Sequence, residues 1–480
     1  MCKKLHESIK IGAFSAGVAL LFLALSPGIV SGQPGYTGNN GNSDTTWPEL
    51  SETTWETMTL AELNVLLLTS DITARDEYGW TALMLAARYS QTPAIIDRLI
   101  SVGSDVHARS EMQRTALMAA AMGNQNIWAF EQLIMAHADV NARDEIQQTT
   151  LMHAARSGAD PEIIALLITS GADVAAEDYL GETALTYAAL YSANPETIGA
   201  LIAGGSKVDE QNSLGESAFM RSARSHNDPT VLELLVDHGA NVHHRNRIGE
   251  TALHIAARAS ESPDILDHLV ALGVNINARN IYGHTALHNA VMFNSNLEVT
   301  DRLITLGAPV HARNSQGQTT LIAAARSAKN PEVINRLISA GADVHERDKL
   351  EMNAFLWAVT HQNIEIAKRL VEVGSEINTL GPSDDTALMW AARYNPNPEA
   401  IDFIISLGID VSSQNFRGVT ALMKAAQYNQ NPEVLQRLLA AGADIHAQDR
   451  ERRTVWDFIQ LNEALINTNI YWQLNDLRFQ

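Results

Sequence analysis

The feature that most constrains this chain is that it says nearly the same thing twice. NPEVINRLISAGADVHERD, residues 330–348, returns as NPEVLQRLLAAGADIHAQD, residues 431–449, with twelve of nineteen letters unchanged. The offset of 101 residues resolves into 34 + 34 + 33 once the intermediate copies are aligned. Taking a T-A-L triplet as the marker, the copies start at Thr81, Thr115, Thr149, Thr183, Ser217, Thr251, Thr285, Thr319, Asn353, Thr386, Thr420 and Thr454, each step 34 except the 33 after Asn353. A period of this size means supersecondary units too small to bury their own apolar faces, each walled in by its neighbours. A chain of 480 residues is therefore expected to be a stack rather than one large core.

Within one unit, TALMLAAR (residues 81–88) sets Leu83, Ala86 and Ala87 on one helical face, the alanines allowing close approach. A second helix is announced by proline at 93, 161, 195, 229, 263, 331, 398 and 432, preceded by Thr92, Asp160, Asn194, Asp228, Ser262, Asn330, Asn397 or Asn431. Each is a residue able to cap a helix, and proline at the first helical position sacrifices no needed donor. The second helix runs to a glycine suited to a left-handed C-cap, at 103, 171, 205, 239, 273, 307, 341, 374, 408 and 442, with His137 in that place in the second repeat.

DYLGETALTYAA, NRIGETALHIAARA, LLVDHGANVHHR and LISAGADVHERD resemble the ankyrin repeat, whose usual form runs D-x-x-G-x-T-P-L-H-x-A-A through two helices to G-A-D-V-N-A. Here Ala replaces the usual Pro after Thr, Met often replaces the usual His, and one residue is added between the helices; the ninth repeat lacks that addition. The resemblance covers residues 55 to 480 and implies an all-α repeat solenoid: helix-loop-helix units with protruding hairpins, stacked into a curved superhelix with a concave groove. It divides the chain into an N-terminal half-repeat cap (55–75), eleven repeats (76–448) and a C-terminal capping repeat (449–480). Trp456, Phe458, Tyr471, Trp472 and Phe479 are expected to be packing of that last cap.

Residues 1–32 read as a signal peptide: Lys3 and Lys4, an uncharged run from Ile11 to Leu25, then Pro27, Ser31 and Gly32. The apolar run is short for a membrane span, so the expectation is export with cleavage after Gly32, to a periplasm first and to the extracellular space or a membrane anchor as alternatives. Residues 33–54, rich in Gly, Asn and Ser, read as a flexible spacer. Cys2 would leave with the signal, so no disulfide or thiol chemistry is expected. With 34 Lys and Arg against 55 Asp and Glu, the formal charge is -21, which argues against nucleic acid as a partner. No membrane insertion after cleavage and a monomer are expected.

Chemistry is hard to find. No GxGxxG, P-loop, GxSxG or HExxH occurs, so neither a phosphate cradle, a nucleophile elbow nor a zincin site is proposed. His284 and His288 have the spacing of zinc ligands, but His284 precedes the Thr that opens the helix and is not expected to share a face with His288. The methionines at 84, 118, 152, 220, 389 and 423 invite a copper reading, yet their fixed place in each first helix points to packing. No catalytic residue, metal or cofactor is assigned.

What remains is binding. Positions that recur in every copy are explained by stacking, so a partner should be read by positions that differ. In ankyrin proteins the two residues after A-A and the hairpin tips face the partner. The first of the two is arginine at 88, 156, 224, 258, 326 and 393: either a basic stripe for an acidic partner, or a structural bond near a helix C-terminus or to a neighbouring repeat's carboxylate. The second varies and is aromatic at Tyr89, Tyr191, Phe293, Tyr394 and Tyr428. Tyr and Arg are common interface anchors. With the hairpin residues Tyr78 and Trp80, these form the candidate surface for another protein. A metal-handling or enzymatic protein on the same scaffold, and a plain structural spacer, are the alternatives.

Overall fold

The computed structural model describes residues 50–192, 194–225, 229–361 and 363–479. The signal peptide of residues 1–32 and most of the spacer lie outside the described residues. The end of the spacer does not: a helix, Glu52–Thr57, begins inside it, because Ser51 caps the Thr54 N–H and Trp55 is fully buried. Folded structure thus includes at least three residues that composition assigned to the spacer, since one large apolar side chain outweighs the polar sequence around it.

The described residues form eleven pairs of short helices flanked by a pair at each end, Glu52–Thr57 with Leu60–Thr69 and Val455–Ile459 with Asn469–Leu477. Among the described residues there are no strands, only isolated bridges such as Gly381 to Asp385. The fold class is the all-α repeat solenoid. The described residues fall into two compact units: one reaches Thr150 and includes Thr169–Ala172, and the other comprises Leu151–Ile168 and Asp173 onward.

The first helix of each pair is buried almost throughout. In Ala82–Tyr89, every residue from Ala82 to Ala87 is buried. Its start is set by the threonine of the T-A-L triplet: Thr81 Oγ1 accepts the Met84 N–H at 3.3 Å, and Thr420 does the same for Met423 at 3.3 Å. Where histidine replaces the methionine, His254 Nδ1 accepts the Thr251 N–H at 3.3 Å, closing the cap reciprocally. The methionines therefore do pack, with Met84, Met118, Met152, Met220, Met389 and Met423 all buried.

The second helix buries one stripe, for example Ile95, Ile96 and Leu99 in Pro93–Ser101, and presents the other to solvent. Within each unit, successive first helices pack together, as do successive second helices. Asn194, Asn397 and Asn431 cap their second helices with a side-chain oxygen, and proline follows at the first position. Thr92 makes no such bond. Second helices end where the sequence placed the glycines, all in the left-handed region, and His137 adopts φ 65° in their stead.

Hairpins between repeats are built on one carboxylate or amide. Asp178 Oδ1 accepts the N–H groups of Leu180 and Glu182 at 2.8 and 2.9 Å, and Asn280 and Asn314 repeat the arrangement. Adjacent tips are joined by a backbone bond, such as Ser315 N–H to Tyr282 O at 2.9 Å. A Cβ on Gly283 would lie 2.7 Å from the Ser315 nitrogen, so that tip tolerates only glycine. Repeat ten departs: LGPSDD folds into a 3-10 turn, Pro382–Asp384, with Ser383 and Asp384 at positive φ, and the loop closes on itself through Gly381 N–H to Asp385 O at 2.9 Å.

Candidate partner-binding surface

The residues singled out from the sequence sit at the C-terminal ends of first helices and in the hairpins, and the structure gives them unequal roles. In the first unit, Trp80 is corrected: it is only 4% exposed, its backbone N–H is held by Asp76 Oδ1 at 2.7 Å, and the Arg88 guanidinium lies over it. A tryptophan at the base of the hairpin packs instead of pointing out. Tyr78 is partly buried at the turn itself. Arg88 also stacks on Tyr89 at 5.1 Å, while the Tyr89 hydroxyl donates to Glu52 at 2.6 Å, tying the first repeat to its cap. Tyr89 is thus in part structural, and burial with the Glu52 carboxylate pushes its phenol well above the usual tyrosine value.

In the second unit the arginine series splits. Arg258 bonds Glu250 at 3.1 Å, a structural ion pair whose carboxylate comes from its own repeat, where the sequence suggested a neighbouring one. Burial alone would raise the Glu250 pKa, but Arg258 and the Asn289 amide, 2.8 Å away, outweigh it and the carboxyl is held below the usual range. Arg224 is partly buried, and burial followed by the nearby Arg221 guanidinium lowers its pKa. The remaining three lie on aromatic rings: Arg156 over Tyr191 at 4.9 Å, Arg326 over Trp357 at 5.2 Å, and Arg393 over Tyr394 at 4.9 Å and Tyr428 at 3.9 Å. Each ring under these guanidinium groups belongs to the following repeat or is itself stacked within the helix. Tyr191 stacks on Tyr187 with centroids 6.1 Å apart, Tyr394 on Trp390 at 5.4 Å, and His361 packs on Trp357 at 5.2 Å. Tyr428 is 44% exposed, and Phe293, closing the helix Ala286–Phe293, is partly buried.

Two sets of polar residues escaped the sequence reading. Arg221 is buried between Glu182 and Glu216, at 2.8 and 3.0 Å, and Lys424 is buried against Asp385 at 2.8 Å. The Glu of G-E-T or G-E-S at 182, 216 and 250 recurs at the repeat period and was a readable signal for an acid facing the next helix. The second set is a series of asparagines. Asn294 Nδ2 donates to Ala257 O and Ser260 O at 3.1 and 2.9 Å, and Asn429 to Ala392 O and Asn395 O, both at 2.9 Å, satisfying carbonyls that the preceding first helix leaves unpaired at its end.

His284 and His288 are also corrected. Their rings stack at 5.4 Å, 10° from parallel, because the extended segment before the helix lays His284 alongside its first turn. Burial lowers both, His284 to about 4 and His288 to about 3, the second further depressed by the first. The His288 nitrogens bond Thr285 and the Gln318 carbonyl, and His284 Nε2 meets the Asn314 amide. Among the described residues, no three His, Cys, Asp or Glu side chains form a metal-holding group, and no helix is long and apolar enough to cross a membrane.

Comparison with known proteins agrees with this architecture. The family model described as ankyrin repeats (3 copies) matches over residues 59–144, 117–205, 189–280, 259–348, 321–415 and 355–449. The chain belongs to the ankyrin repeat family. Among solved structures it is similar to the human ASB11 ankyrin repeat domain, at 24% identity over 47% of this chain and 97% of that one, with a TM-score of 0.41. No curated protein matches its sequence. Ankyrin repeats are in general scaffolds for binding other proteins, using residues that differ along a regular stack.

Proposed function

We propose that the chain is an exported, non-catalytic ankyrin scaffold that binds another protein, as an adaptor or protective partner. The observation that supports it most is the contrast along the first helices of the second unit. The buried positions repeat as Ala and Leu, whereas the positions left partly open differ from repeat to repeat and carry Phe293, and Tyr191, Tyr394 and Tyr428 under stacked arginines. Aromatic anchors next to guanidinium groups are the composition of interface hot spots. Export rests on Lys3 and Lys4 ahead of the apolar run from Ile11 to Leu25 and on the small residues at Ser31 and Gly32.

Affinity capture from an envelope extract of the source organism, with the chain from residue 33 and a variant carrying Tyr191, Phe293, Tyr394 and Tyr428 as alanine, tests the binding role. A protein held by the first and lost by the second, with both baits folded, is the expected result. Equal retention would move the site to the hairpins or the second helices. A reporter fused to residues 1–54 is expected to leave the cytoplasm, and its retention there would overturn the export reading.

A further inference from the structure

We propose that the first-helix face of repeats eight to eleven binds an acidic, extended peptide, whose carboxylates lie on Arg326 and Arg393. This deepens the scaffold reading and rests on it. The argument starts from where this acidic chain spends its cations. On the second helices of the same unit, arginines are matched to acids: Arg302 with Asp267 at 2.6 Å, Arg369 with Glu332 and Glu372 at 2.7 Å each, Arg437 with Asp402 at 3.2 Å and Glu433 at 2.9 Å. On the first-helix face of repeats eight to eleven the relation inverts. Among the described residues, no carboxylate lies within 4.0 Å of Arg326 or Arg393; both are carried on rings, and Arg393 Nε is buried with no acceptor.

The acids of that face are already occupied. Asp385 holds the Lys424 ammonium at 2.8 Å and the Asn415 amide at 2.6 Å. Asp348, the one carboxylate acting on Arg326 through space, receives the Trp357 indole N–H at 2.8 Å and the backbone N–H of Leu350 and Met352. Two guanidinium planes fixed by stacking are therefore left with donors turned to no acid of their own. That is the arrangement for bidentate carboxylate recognition, and stacking has already ordered the side chains, so little rotamer entropy is lost on binding.

Spacing narrows the occupant. Arg326 and Arg393 end first helices that are two steps apart, Thr320–Ser327 and Ala387–Tyr394 with Ala354–Thr360 between them. At roughly 8–10 Å per packed helix they are about 16–20 Å apart. An extended strand rises about 3.3 Å per residue and alternates faces, so acids at i and i+6 reach both. Phosphates of a single-stranded nucleic acid share the charge but carry one at every nucleotide, whereas the peptide needs only two acids in seven residues and so meets less repulsion from a molecule of formal charge -21.

The test is selection of a random twelve-residue peptide library on the full chain, followed by fluorescence anisotropy of the enriched peptides and of a fluorescein-labelled dT oligonucleotide. Expected are peptides with acids six apart, whose binding falls at least tenfold when both acids become amides and equally in R326Q/R393Q, while R336Q, on a second helix, leaves it unchanged. If R326Q/R393Q does not keep its circular dichroism and melting, the unchanged protein decides: its affinity for the acidic peptide must fall between 50 and 500 mM salt, and that for the amide version must not. Enriched peptides without acids would overturn the acidic occupant and keep the scaffold reading. No enrichment at all would fail both. Oligonucleotide binding as tight as the peptide, lost in R326Q/R393Q, would reassign the face and overturn the proposal.

Discussion

At the scale of single residues, the chain's departures from its own repeat carry the physics. His137 stands where ten other repeats place glycine, and it is forced to φ 65°. A side chain there costs about 1 kcal/mol, so His137→Gly is expected to raise the unfolding free energy of the first unit, read from urea titration, by about that amount; no gain would mean that the imidazole makes a compensating bond. The stacked His284 and His288 make a second case. Their folded pKa values, about 4 and about 3, lie below the 6.5 of an unfolded chain, so the unfolded state takes up protons first as pH falls. Stability from keeping them neutral is complete above pH 6.5 and is lost as pH drops toward 4, about 2 kcal/mol for His284 at pH 5. Amide exchange in the helices Ala252–Ala259 and Ala286–Phe293 is expected to speed up between pH 7 and 5 beyond its intrinsic pH dependence, and His284→Asn is expected to reduce the change. His137 was legible in the sequence because the period assigns a backbone conformation to the position. The histidine stack was not, since it depends on how an extended residue before a helix lies against its first turn.

At the scale of elements, the hydrophobic period, the capping residue before proline and the C-cap glycines pointed to the helix pairs, because each signal acts within a few residues. Bonds between elements were read less well. Asn429 donates two buried bonds to the carbonyls of Ala392 and Asn395, and it also turns its Oδ1 to the Asn431 N–H at 2.9 Å, so one side chain ends one helix and starts the next. In the sequence it looks like one more loop asparagine, though Asn294, Asn395 and Asn429 fall at multiples of the period. Asn429→Ala would strip two buried acceptors and a donor of their partners, at about 1 kcal/mol or more each. A loss of about 2–3 kcal/mol in chemical denaturation is expected; less than 1 would mean that water takes its place. The arginines show the same limit. Their regularity suggested a structural bond, but the partner differs: an acid of the same repeat for Arg258, a ring of the next repeat for Arg326, and rings of its own helix and of the next repeat for Arg393.

At the scale of the molecule, a stack in which each repeat touches only its neighbours behaves as a one-dimensional array, with stability summed from repeats and interfaces. The C-terminal end tests this. Val455–Ile459 and Asn469–Leu477 cover repeat eleven, Phe458 and Leu474 are buried, and Asn462 repeats the asparagine bond to Ala426 and Asn429 at 3.0 and 2.7 Å. Not all of the aromatic residues expected to pack this cap do so: Trp456 and Tyr471 meet at 4.9 Å, but Trp472 is 51% and Phe479 76% exposed. Removing residues 449–480 would expose the apolar faces of Ala421–Tyr428 and Pro432–Ala440 and delete those asparagine bonds. In a one-dimensional array the damage decays with distance, so amide protection is expected to collapse in repeat eleven, weaken in repeat ten and persist in the helix Ala252–Ala259. If protection fell together along the whole second unit, the repeats would be one cooperative body. The face at Arg326 and Arg393 would then depend on its far neighbours as well as its near ones.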